Sequence, residues 1–410
     1  MPLLYIDPGT GSALFSILIG AAATLYFISR ALIIKLKVFF SGGASAAYST
    51  DVNPFVIYNE GKQYLSVFEP ILDEFESRGI KVLYLTSAED DPFLAKPYLH
   101  VKGEYIGEGN KAYSRLNMLY AGVVLMTTPG LDVYQLKRSK GVKHYSHVLH
   151  MVSDATMYRL FGLDYFDSVL LTGDYQANDL RTLEQQRGTK PKQLITVGCS
   201  YLDVFAKKIN QLSKEENHPF TVLVSPSWGP SSILSRFGEK LLDPLVKTSL
   251  RIIIRPHPQS KKSEPSILKR LEEKYFNLKN LEWDYKKDNI HSLSKADIMI
   301  SDFSGIVFDY SFLFNKPLLF VAQGFDMRPY DADDLGEDAA EKLWQFRTLK
   351  EIGIELKEED FPKIGEIIQS ASESRELLAA RQKAKDTAWQ FNGEAGKRIV
   401  DFLIKQEAGA

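Results

Sequence analysis

The chain has 410 residues, of which 44% are hydrophobic; this leaves room for two or three domains and excludes a disordered polymer. With 50 Lys and Arg against 52 Asp and Glu, the formal net charge is -2, which excludes broad, non-specific nucleic-acid binding. The single cysteine, Cys199, excludes an intramolecular disulfide and a cysteine-rich zinc site and suits a reducing compartment.

The N-terminus differs in kind from the rest. No charge falls between Asp7 and Arg30, a run of 30 − 7 − 1 = 22 positions. As a helix it would extend roughly 33 Å, enough for the ~30 Å hydrocarbon core. Arg30, Lys35 and Lys37 follow it, so the positive-inside bias puts the bulk of the chain in the cytoplasm. The expectation is an N-terminal transmembrane helix within an anchor over 1–40. A cleaved signal peptide fits less well, because no positive charge precedes the apolar run. A helix lying on the membrane surface is the other alternative. The preceding Asp7-Pro8-Gly9-Thr10-Gly11 has turn chemistry and no assignable role.

A small-residue linker covers 41–53. Strands and helices then alternate over 54–210. Strands are predicted at Pro54–Tyr58, Lys81–Thr86, Ala121–Thr127, Lys143–Leu149, Ser168–Thr172 and Leu194–Val197. Helical spacing joins them, as in Tyr64, Val67, Phe68, Ile71, Leu72 and Phe75. This is the β–α–β crossover of a parallel sheet. The polar stretch Lys207–Pro219 reads as a joint. Alternation restarts over 219–370, with strands at Thr221–Val224, Arg251–Ile254, Leu281–Trp283, Ile298–Ile300 and Pro317–Val321. Gln323–Glu337 reads as an acidic, solvated loop, and 371–410 as a helical tail long enough to return across both domains. The fold class is therefore α/β, two doubly wound Rossmann-like domains, with the ligand crevice at the carboxyl ends of both sheets.

Four stretches carry candidate chemistry. Ser301-Asp302-Phe303-Ser304-Gly305 ends a buried strand and opens a helix, where free amides and the helix dipole favour phosphate. Asp302, and Asp309 one turn inside that helix, either fix the turn or bind a ribose. Arg255-Pro256-His257-Pro258 follows the preceding long strand and holds His257 past its carboxyl end. Ser225-Pro226-Ser227-Trp228-Gly229 is a second small polar turn, with hydroxyls, glycine amide and a stacking indole. The fourth is His144, His147 and His150. Strand alternation puts His144 and His150 on one side, and His150 sits where the strand ends, best placed to act as a base near neutral pH. One strand cannot bring three imidazoles onto one ion, so no metal site is expected. Lys137, Arg138, Lys140 and Lys143 form a solvated face able to touch anionic lipid.

In this order, His150-Met151-Val152-Ser153, Ser225–Gly229, Arg255–Pro258 and Ser301–Gly305 through Asp309 resemble the CDP-glycerol glycerophosphotransferase family, the primases and polymerases of teichoic acids. The resemblance covers roughly Phe55–Val321 and is strongest after Thr221. It implies a glycosyltransferase-B-like arrangement, with the acceptor on the N-terminal side and the donor nucleotide on the C-terminal side. It implies His150 as base and His257 as a phosphate ligand. It places Ser225, Ser227, Trp228, Gly229, Arg255, Ser301, Asp302, Ser304, Gly305 and Asp309 around the donor. The implied partners are CDP-glycerol or a related CDP-polyol, a lipid-linked acceptor and the membrane, with no cofactor and no nucleic acid. Met151-Val152-Ser153 departs from the Gly-x-Pro turn frequent in the family, and Gly305 stands where many members have serine. A nucleotide-sugar transferase of the same fold, an epimerase and a non-catalytic membrane-anchored scaffold remain the alternatives.

Overall fold

The computed structural model describes residues 29, 52–212, 218–286, 288–322, 326, 328, 330–336 and 339–409. The chain divides into two units, Met1–Val52 and Asn53–Ala410. The expected transmembrane segment lies outside the described residues. Among the described residues, no helix is long and apolar enough to cross a membrane.

Asn53–Ala410 is built on two parallel sheets. The first comprises β1 (Asn53–Asn59), β2 (Val82–Thr86), β3 (Val101–Tyr105), β4 (Tyr120–Met126), β5 (Gly141–Val148), β6 (Ser168–Leu171) and β7 (Gln193–Thr196), in the order β3-β2-β1-β4-β5-β6-β7. The second comprises β8 (Thr221–Val224), β9 (Arg251–Ile254), β10 (Leu281–Trp283), β11 (Ile298–Ser301), β12 (Leu318–Phe320) and β13 (Ile354–Glu355), in the order β10-β9-β8-β11-β12-β13. Strand order reverses between β1 and β4 in one sheet and between β8 and β11 in the other. In an open α/β sheet, that reversal is where the connections diverge and leave a crevice at the carboxyl ends.

The central strands are buried on both faces, so they read as continuous apolar runs rather than alternating ones. Ile298, Met299 and Ile300 of β11 are fully buried, with Met299 and Ile300 in different core clusters. Helices that bear on the site are α1 (Leu65–Ser77), α2 (Ala177–Arg187), α3 (Ser200–Asn210), α4 (Ile306–Phe314), α5 (Trp344–Ile352), α6 (Arg375–Ala388) and α7 (Ala395–Ala408).

The tail does cross between the two halves. α6 packs against α4 and α5 of the second sheet's layer, and α7 packs against α1 of the first. The buried carboxylate of Asp203 on α3 secures the crossing. It accepts from Trp389 Nε1 at 2.8 Å, Gly393 N at 2.8 Å and Ala395 N at 3.1 Å. Close approach of this tail also explains Gly198, whose φ is +94°. A Cβ there would lie 2.5 Å from the Gln390 carbonyl oxygen.

β3, α5 and β13 escape the sequence reading. The edge strand β3, Val-Lys-Gly-Glu-Tyr, is mostly solvated and lacks an apolar run, as edge strands commonly do. α5 and the two-residue β13 follow the acidic loop. That loop is not simply solvated: Asp331 is 1% exposed and ion-paired.

Candidate active site

The first half of the site sits at the ends of β1, β4 and β5. β5 stops at Val148, so strand alternation lapses before His150. This corrects the expected pairing of faces. His144 turns to Ser168 Oγ (2.9 Å) and the Phe402 ring, whereas His147 and His150 both meet Tyr158. His150 Nδ1 lies 2.7 Å from Thr127 Oγ1, which directly follows β4, and 3.0 Å from Tyr158 Oη. The Tyr64 ring, at the start of α1 after β1, lies 4.8 Å from the imidazole. Nδ1 is therefore engaged, and Nε2 is the nitrogen left for chemistry. Burial lowers the His150 pKa to about 4, so the imidazole is neutral near pH 7.

The second half sits at the ends of β8, β9 and β11. His257 Nδ1 accepts from Gln259 N at 3.1 Å, which puts the proton of the neutral ring on Nε2. Burial lowers the His257 pKa, with the Glu264 charge opposing the shift. His257 thus presents a neutral N–H donor. The half-exposed Trp228 ring lies 6.3 Å away, tilted 32°. The turns after β8 and β9 therefore meet at these two rings.

Asp302 ties the two central turns together. It is 1% exposed and accepts from Ser227 N at 2.9 Å, Ile233 N at 3.0 Å and Ser304 N at 3.2 Å. Ser301 Oγ donates to the Ser225 carbonyl at 2.5 Å. Asp302 and Ser301 therefore shape the site from beneath. Arg255 is likewise occupied, donating to Asp284 Oδ2 at 2.6 Å and the Lys286 carbonyl at 2.7 Å. Asp309 accepts from the hydroxyl of Tyr201 on α3, and burial raises its pKa to about 7. It braces α4 against α3, the bracing alternative in the sequence reading.

The amides that remain belong to the β11 turn. α4 has no side-chain cap at Gly305, and no protein hydrogen bond engages the Gly305 and Ile306 amides among the described residues. A Cβ on Gly305 would meet nothing within 4 Å, so the turn opens onto free space. In the β8 turn the amides on either side of Trp228 are spent. Ser227 N goes to Asp302 and Gly229 N to Glu264 Oε1 at 2.9 Å. That turn offers the hydroxyl of Ser227, which is buried beside the Asp302 carboxylate. Among those residues, no group of three His, Cys, Asp or Glu side chains is placed to hold a metal ion.

Residues 232–405 match the sequence model of the CDP-glycerol:poly(glycerophosphate) glycerophosphotransferases. Over that stretch the family resemblance is borne out. The match spans His257, Ser304, Gly305 and α4, and it supports a glycerophosphotransferase enzyme. No curated protein sequence matches the chain. Among solved structures, the wall teichoic acid polymerase TagF is similar, with a TM-score of 0.55 and 15% identity, covering 94% of this chain and 97% of that one. A UDP co-structure of MnaA from S. aureus has a TM-score of 0.59 at 12% identity over 87% and 97% of the two chains. A UDP-N-acetylglucosamine 2-epimerase-like structure from Listeria monocytogenes has a TM-score of 0.57 at 13% identity over 88% and 98%. At such identities these likenesses carry the glycosyltransferase-B-like fold alone.

Thr127, Tyr158, Tyr64 and Glu264 belong to the site and escaped the sequence reading. Thr127 ends a predicted strand at the sheet's reversal point, the one signal that could have singled it out.

Proposed function

We propose that the protein transfers glycerol phosphate from CDP-glycerol to an acceptor hydroxyl, releasing CMP. His150 Nε2 takes the hydroxyl proton. The acceptor oxygen bonds to the β-phosphorus while the bond from that phosphorus to the oxygen of CMP breaks. His257 Nε2–H, the Ser304 and Ser227 hydroxyls and the free amides at Gly305 and Ile306 hold the pyrophosphate and the charge that develops on CMP. A base with a pKa near 4 is weak in the empty site. The bound pyrophosphate's negative charge raises that pKa toward the working pH.

The observation that carries this reading is the placement of His257 and the uncapped α4 N-terminus within the stretch that matches the glycerophosphotransferases. The same match favours phosphorus over an anomeric carbon as the atom attacked. We further propose that the acceptor is lipid-linked and that the N-terminal uncharged run anchors the enzyme at the cytoplasmic face of the membrane. A soluble donor and a lipid acceptor give a physical reason for such an anchor.

The test is CMP release by detergent-solubilised protein, with and without a membrane-lipid extract. CDP-glycerol, CDP-ribitol and a UDP-sugar are compared as donors. CMP appearing with CDP-glycerol and dependent on lipid is the expected result. Turnover of the UDP-sugar alone would replace the reading with sugar transfer.

A further inference from the structure

His150 is held by a network that reaches the other half of the molecule. Four polar side chains, those of Tyr158, His147, His150 and Thr127, form one cluster. His147 Nε2 lies 3.1 Å from Oη, and His150 Nδ1 lies 3.0 Å from it. Thr127 Oγ1 lies 2.7 Å from His150 Nδ1. His147 is fully buried, and its Nδ1 has no partner among the described residues. An orphaned buried N–H is rarer and costlier than an orphaned acceptor. The His147 proton therefore sits on Nε2 and is donated to Tyr158 Oη. Both hydroxyl oxygens lie where they can accept from a His150 Nδ1–H.

The backbone of the same tyrosine is held from the C-terminal half. The Tyr158 carbonyl accepts from Asp331 N at 2.9 Å, and Arg159 bridges Tyr330 in antiparallel fashion. Asp331 also accepts from Phe161 N at 2.7 Å and from Arg187 at 2.8 Å, and Arg187 further binds Asp164 and Asp334. Just upstream, the buried Asp154 carboxylate accepts from Trp344 N and Gln345 N at the start of α5. The segment carrying Tyr158 is thus fastened to the second half at both ends.

We propose that Tyr158 and Thr127 are positioning residues that fix His150 as the Nδ1–H tautomer, with Nε2 free to take a proton, and that the Asp331–Arg187 contact keeps Tyr158 in place to do so. The assignment of His150 as base rests on the function proposed above; the tautomer does not. The titratable groups facing the imidazole are Tyr64 from α1, and His147 and Tyr158 from β5 and the loop after it.

The test is 15N imidazole NMR of the full-length protein, with His150 assigned among the seven histidines by a His150→Gln variant. The expected wild-type signal is Nδ1 protonated and Nε2 bare at pH 7. Tyr158→Phe keeps the ring and removes the hydroxyl. It should mix the tautomers and lower kcat on the order of 10-fold, part of the 10²–10⁴ a general base supplies, with KM for CDP-glycerol unchanged. Arg187→Gln should move the His150 signal in the same direction by less. A wild-type His150 protonated on Nε2 overturns the proposal. So does a Tyr158→Phe protein whose His150 spectrum and kcat–pH profile match wild type. An inactive wild type with the expected spectrum would count against the function and leave the positioning standing.

Discussion

The turns after β8 and β11 look alike in sequence and behave differently in the fold. Ser225-Pro226-Ser227-Trp228-Gly229 and Ser301-Asp302-Phe303-Ser304-Gly305 both follow short buried strands at the point where strand order reverses. In the first, the Ser227 and Gly229 amides are consumed by Asp302 and Glu264, leaving the single Trp228 amide between them. In the second, Asp302 takes only the Ser304 amide, and the consecutive amides at Gly305 and Ile306 are left over. A small polar turn is an anion site only where no carboxylate of the protein has already claimed its N–H groups.

The largest effect belongs to the residue that creates this difference. Asp302→Ala strips an acceptor from three backbone amides and should cost on the order of 3 kcal/mol, read as a lowered denaturation midpoint. A protein as stable as wild type would mean that the two turns are not held by this carboxylate. Next comes Gly305→Glu. Its Cβ meets open space, so the melting temperature should hold, while a carboxylate at the α4 N-terminus should weaken CDP-glycerol binding by about 100-fold through like-charge repulsion. Unchanged affinity would move the phosphates away from this turn. Ser227→Ala removes a buried hydroxyl beside the Asp302 carboxylate. It should leave stability intact and raise the donor KM about 5-fold, the worth of one hydrogen bond. An unchanged KM would make the β8 turn purely structural.

The smallest effect is one of pH. Asp309 has a pKa of about 7 in the fold against 3.8 for an unperturbed aspartate, so the folded state binds more protons between those values and wild-type stability falls as pH rises through them. Asp309→Asn removes that loss. Its stability relative to wild type should climb from about pH 4 to about pH 7 and stay level above, as thermal melts across that range would register. A pH-independent difference would place the ionised carboxylate in water, away from Tyr201.

The alternating pattern from Asn53 onward was legible because buried parallel strands are apolar runs bounded by turn residues. Arg251–Ile254 and Leu281–Trp283 coincide with β9 and β10 to the residue. β3 was hidden because an edge strand needs no apolar run. The histidines at the strand ends were legible as residue types, and their surroundings were not. Nothing local marks Tyr158 as the partner of His150, since the link depends on how the loop after β5 folds back. The sequence context of Asp302, that of a helix cap, leaves it open whether it fixes the turn or binds a ligand; only the fold shows its carboxylate turned toward Ser227 and Ile233. Asp331 read as solvated for the same reason, its partner Arg187 being 144 positions away.

Calorimetric titration of CDP-glycerol into wild type, His150→Ala and His257→Ala tests the division of labour between the two halves most directly. His150→Ala should bind the donor as wild type does while releasing no CMP, and His257→Ala should bind at least about 10-fold more weakly, the loss of one hydrogen bond to a charged group. Undiminished donor binding by His257→Ala, or wild-type turnover by His150→Ala, would contradict the account.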